Sequence, residues 1–150
     1  MAKYNTLLSH RSLNIVHTES SCGWGGQEIR ILEESRGLIE RGHHVTIVCP
    51  AEATIFTRAH DWGVKTVGLP INEKRWANFK AMRRWLLANR IEVDVVNTHS
   101  STDSWLVALA NLSFGKSRIP VVRTRHISAP VANTFANRWL YGKAAQHIVT

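Results

Sequence analysis

Long apolar runs are missing from this sequence. Nowhere does one approach the roughly 20 residues that a membrane-spanning helix needs, and Met1 to Arg11 lacks the apolar core of a signal peptide. Cysteine is scarce as well: Cys22 and Cys49 form no metal or disulfide spacing, which favours a reduced cytosolic compartment over a secreted scaffold. Acidic residues are outnumbered, 11 Asp and Glu against 19 Lys and Arg, and the net charge of +8 calls for an anionic partner: phosphorylated substrates, an acidic membrane surface or nucleic acid. Low-complexity tracts and solenoid repeats are absent too, so 150 residues with 44% hydrophobic content read as one globular domain.

What is present is an alternation of short β-branched runs with helical patterns. Leu13 to Thr18, His44 to Cys49, Val64 to Leu69, Val93 to Asn97, Pro120 to Thr124 and Ala145 to Val149 read as strands. Helical patterns lie between them: Ile31, Leu32, Ser35, Leu38 and Ile39 share one face before Gly42, and further helices are expected at Thr54–Trp62, Glu73–Arg90, Trp105–Phe114 and Phe135–Gly142. This predicts an α/β fold, a doubly wound, mostly parallel Rossmann-like sheet covered on both faces. Ligands of such sheets gather at the carboxyl ends of the strands. That rim is expected to carry His17 and Thr18, then Thr98, His99 and Ser100, then Thr124, Arg125 and His126.

The first strand runs into Gly23-Trp24-Gly25-Gly26-Gln27-Glu28 and then a helix. A glycine turn of this kind turns free backbone N–H groups outward at a helix N-terminus, where an anion such as phosphate can approach. As a dinucleotide fingerprint it fails at Glu28, and Val48-Cys49-Pro50 stands where a ribose-binding acid belongs, which disfavours a nicotinamide or flavin enzyme.

Gly25-Gly26-Gln27-Glu28, in this context, resembles the N-terminal domain of retaining GT-B glycosyltransferases of the large family 4 group. The likeness continues through Arg41-Gly42-His43-His44-Val45-Thr46-Ile47-Val48-Cys49-Pro50, Asp94-Val95-Val96-Asn97-Thr98-His99-Ser100, Pro120-Val121-Val122-Arg123-Thr124-Arg125-His126 and Ala144-Ala145-Gln146-His147-Ile148-Val149-Thr150. It implies the N-terminal half of a GT-B fold, with 1–11 as an extension and 12–150 as the acceptor-side domain. The family's donor domain, with its basic residue and paired glutamates, has no counterpart before Thr150, so this stretch alone is expected to be inactive.

By that resemblance Gly25 and Gly26 approach the diphosphate of a nucleotide-sugar donor, and His126 lies against the donor sugar as the catalytic contact. Glu28, His99, Ser100 and Arg125 are candidate contacts to a glycan or lipid-linked acceptor, with cell-envelope polysaccharide or lipopolysaccharide as the expected product class. Neither cofactor nor metal is implied, and the enzyme is expected in the cytoplasm or peripherally at the inner face of the cell membrane.

Two rival readings use the same residues. His17, His99 and His126 are candidate ligands of a zinc hydrolase, although no H-E-x-x-H helix or paired cysteine site accompanies them. A basic nucleic-acid or anion-binding module fits the charge, but the basic residues are scattered and no recognised motif is present, so no nucleic acid is expected. The segment Lys74 to Leu87 is basic, with Trp76, Phe79, Met82 and Leu86 near one face, and reads either as a helix lying on anionic membrane or as an ordinary crossover helix packing Trp76 and Leu86 on the sheet.

Overall fold

The computed structural model describes residues 11–127, 129–144 and 147–149. Its six strands are β1 (Asn14–Thr18), β2 (His44–Cys49), β3 (Lys65–Gly68), β4 (Val95–Thr98), β5 (Val121–Thr124) and β6 (His147–Val149). The helices are α1 (Gly26–Glu40), α2 (Thr54–Asp61), α3 (Trp76–Asn89), α4 (Ser101–Leu112) and α5 (Phe135–Trp139), the last continued by a π-helical turn over Leu140–Ala144. Residues 1–10 of the expected extension, with Ala145 and Gln146 at the start of the sixth expected strand, lie outside the described residues.

All neighbouring strands pair in parallel in the order β3-β2-β1-β4-β5-β6. Strand order reverses between β1 and β4, and the crevice beyond their carboxyl ends is the place where such sheets bind ligands. There Thr18 is in register with Thr98, and His17 with Asn97.

Alternate residues of β1, β2 and β4 feed two cores. Val16, Val48, Val96 and Val121 pack against Met82 and Leu86 of α3 and Leu106, Val107 and Ala110 of α4. On the other face Ile15, Val45 and Ile47 meet Ile31 and Leu32 of α1 and Ile55 and Ala59 of α2. Fully burying a side chain such as Ile31 or Leu32 contributes about 1.5–3 kcal/mol. Burial on both faces explains why the strands read as continuous apolar runs.

Three expectations need correction. Helix α4 begins at Ser101, four residues before the expected Trp105, because Asp103 reaches back to the Ser100 N–H at 2.9 Å in a capping box. Helix α5 stops at Trp139 instead of running on to Gly142 as α-helix. In α3, Met82 and Leu86 are buried, but Trp76 is 70% exposed and stacks on Phe79 with ring centroids 5.0 Å apart, so it does not pack on the sheet. The expected stop after α1 is Gly42, whose φ of +87° is left-handed backbone that glycine adopts without strain.

Candidate functional site

At the carboxyl edge, Gly26, Gln27 and Arg30 of α1 face Thr124 at the end of β5 and Arg125, His126 and Ile127 beyond it across a cavity of about 470 Å³. The N-cap of α1 is Gly25, in extended backbone, and no side chain caps the helix. Among the described residues, a Cβ on Gly26 would meet nothing within 4 Å, and one on Gly25 would come only to 3.7 Å from Glu28 Oε2. Neither glycine has positive φ. The turn's own backbone and packing therefore do not demand glycine at these positions, and the space left by the missing side chains opens toward a helix N-terminus. Such a terminus, with Arg30 in the cavity wall, suits an anion.

Behind the cavity the three rim histidines form a chain. His17 Nδ1 lies 2.8 Å from His99 Nε2, and His99 Nδ1 lies 2.8 Å from His126 Nε2. His17 is fully buried, His99 nearly so, and His126 lines the cavity. Burial lowers the pKa of His17 to about 4. His99 is held well below the ordinary histidine value by burial, then by its two histidine neighbours, Arg123 and Arg30. His126 is lowered by partial burial and by Arg30, against an opposing pull from Glu28. The zinc geometry does not fit: both nitrogens of His99 are spent on the other rings, so the three cannot turn free lone pairs toward one ion.

On the opposite side of the sheet edge, carboxylates organise the turn. Buried Glu19 accepts the Ser21 N–H at 2.8 Å, the Ser100 hydroxyl at 2.5 Å and the Gln27 amide, tying the glycine turn and α1 to the start of α4. Asp103 accepts the Thr18 hydroxyl at 2.5 Å and the His99 N–H at 3.0 Å besides the Ser100 N–H. Burial, and then Glu19, push the Asp103 carboxyl up to about 7. Burial also raises Glu19, against the bonds from Ser100, Ser21 and Gln27.

The structure thus brings Gly26, His126 and Arg125 to one cavity and sets the remaining candidates behind it. Ser100 has its hydroxyl engaged by Glu19 and Gln27. His99 is enclosed between two histidines, Glu28 is buried beside Gly25, and Arg125 donates to the Ala129 carbonyl at 2.6 Å. Gln27, Arg30, Glu19 and Asp103 were not among the sequence candidates. Only Asp103 had a readable signal, the Ser-x-x-Asp spacing ahead of an apolar run.

A parallel α/β domain with a glycine turn, a free helix N-terminus and polar groups at its switch point belongs to the doubly wound, ligand-binding class. The glycosyltransferase family 4 model matches residues 24–150, and the chain belongs to that family. Its fold matches the N-terminal half of GT-B glycosyltransferases. A glycosyltransferase from Rickettsia africae ESF-5 aligns with a TM-score of 0.71 at 18% identity, over 90% of this chain and 35% of that one. MurG of Acinetobacter baumannii aligns with a TM-score of 0.65 at 17% identity, over 92% of this chain and 40% of that one. The chain therefore spans well under half the length of either structure. No curated protein sequence matches it.

Proposed function

We propose that this chain is the acceptor-side domain of a retaining glycosyltransferase that moves a sugar from a nucleotide-sugar to a glycan or lipid-linked acceptor. Cell-envelope polysaccharide or lipopolysaccharide is the product class we favour. The observation that carries the reading is the unfilled space over Gly26 at the α1 N-terminus, in the same cavity as His126.

In this reading the α1 N–H groups and Arg30 offset the charge that grows on the leaving diphosphate. His126 contacts the donor sugar, and Arg125 reaches an acidic or phosphorylated acceptor. No cofactor or metal is called for. A second domain supplies most of the donor contacts, so residues 1–150 alone do not complete a turnover.

Among the described residues no helix is long and apolar enough to cross a membrane. We place the enzyme in the cytoplasm, with the exposed Trp76 and its basic neighbours Lys74, Arg75 and Lys80 available for peripheral contact with anionic lipid. The test is transfer of labelled sugar by the full natural chain from a panel of nucleotide-sugars to membrane-extracted glycolipids, with the anomeric configuration of the product read by NMR. Transfer with retention supports the proposal. Absence of transfer from every donor, or inversion, contradicts it.

A further inference from the structure

The histidine chain has two ways to place its protons, and its buried end decides between them. In one register His17 donates from Nδ1 to His99 Nε2, and His99 donates from Nδ1 to His126 Nε2. His126 then carries its own proton on Nδ1, the ring nitrogen that His99 does not engage. In the other register every bond runs backwards. His126 Nε2–H donates to His99, His99 Nε2–H donates to His17, and the His17 proton sits on Nε2.

Among the described residues that last atom is buried without a hydrogen-bond partner. A bare lone pair there costs less than an orphaned N–H, the rarer and more expensive defect in protein interiors. The first register is therefore preferred, and the preference passes through two rings to the cavity wall. We propose that His17 and His99 are positioning residues that hold His126 as a neutral imidazole with its proton on Nδ1, presenting an N–H donor to the cavity.

The same chain resists a second proton on His126. A proton added at Nε2 would have to reverse both bonds and strand an N–H on His17. Arg30 on α1 and Arg123 on β5 oppose a cation on the chain and Glu28 on α1 favours one at His126, while Glu33 and Glu34 of α1 share a cavity wall with His17 and Asp103 of α4 accepts the His99 backbone N–H. His126 is thereby set up to donate to an oxygen of a sugar hydroxyl or a phosphate, and poorly set up to take a proton from an acceptor. This deepens the glycosyltransferase reading, but its test reads the ring itself and stands apart from transfer activity.

The experiment is 15N NMR of the full natural chain with labelled histidine, assigning the His126 signals by comparison with His126→Gln and following them from pH 5 to 8. The expected result is a neutral Nδ1–H tautomer that titrates below the ordinary histidine value. In His17→Asn the side-chain amide occupies the Nδ1 position and can either donate to or accept from His99, so the bias disappears. His126 should then populate both tautomers, with its pKa higher by about one pH unit. His99→Phe, which cuts the chain next to His126, should do the same. An Nε2–H tautomer in the unmodified chain overturns the proposal, as does a His126 indifferent to both substitutions. Should both variants fail to fold, the tautomer of the unmodified chain decides alone.

Discussion

Two polar networks meet where β1 and β4 end, and they solve opposite problems. The His17–His99–His126 chain lies on the α1 side, opens onto the cavity at one end and, among the described residues, leaves the buried His17 Nε2 without a partner at the other. The Glu19 and Asp103 network bridges the start of α1 and the start of α4, and the bonds made by its carboxylates run to the chain's own N–H, hydroxyl and amide groups. Burial keeps the first set of bases neutral and pushes the second set of acids toward their protonated forms. The contrast separates a side that faces the cavity from a side that braces the glycine turn.

Breaking the brace should cost the most stability. Asp103→Ala leaves the Thr18 hydroxyl and the Ser100 and His99 N–H groups without their acceptor and removes the α4 cap, a loss of about 3 kcal/mol. Urea unfolding of the variant and the parent measures it directly.

The two networks should also carry opposite pH signatures. Unfolded chains take up a proton on His17 below about 6.5 that the native state refuses until about 4, so its contribution is lost as pH falls across that window. Asp103 runs the other way, because the native state keeps its proton up to about 7 and the unfolded chain releases it near 3.8. Between pH 7 and 5 each is worth about 2 kcal/mol, with opposite sign. Relative to the parent, His17→Phe should gain that amount on acidification and Asp103→Asn should lose it. Equal pH profiles for the two variants would remove the distinction between the networks.

Smaller effects sharpen the contrast. Gly26→Ala places a methyl where nothing is met within 4 Å, so stability should be unchanged or slightly higher. Nucleoside diphosphate affinity of the full chain, followed by calorimetry, should fall about tenfold as the methyl crowds the anion from the helix N-terminus. Trp76→Ala, largely exposed and without a bond to either network, should change stability by less than about 0.5 kcal/mol. It should still weaken flotation with anionic liposomes if the basic aromatic patch meets the membrane.

Much of the fold could be read from the amino acids because a parallel sheet buried on both faces writes its strands as apolar runs, and Gly42 ends α1 where its backbone requires it. The start of α4 was missed because the apolar pattern begins only at Trp105, while the helix is set by the Ser100–Asp103 cap. His17, His99 and His126 each stood out in the sequence, but their order as a chain depends on β1 and β4 lying side by side with Thr18 opposite Thr98. No local pattern encodes that pairing. Glu19 and Gln27 were hidden for the same reason, since they meet Ser100 across more than seventy residues of sequence.

The most direct measurement is steady-state transfer by the full natural chain carrying His126→Ala, with kcat and the acceptor KM determined beside the parent. The expected result is a fall in kcat on the order of a hundredfold with acceptor KM nearly unchanged, as for loss of a preorganised donor that acts in the transition state. Normal turnover, or a change confined to KM, would contradict the placement of the sugar-transfer site at this end of the rim.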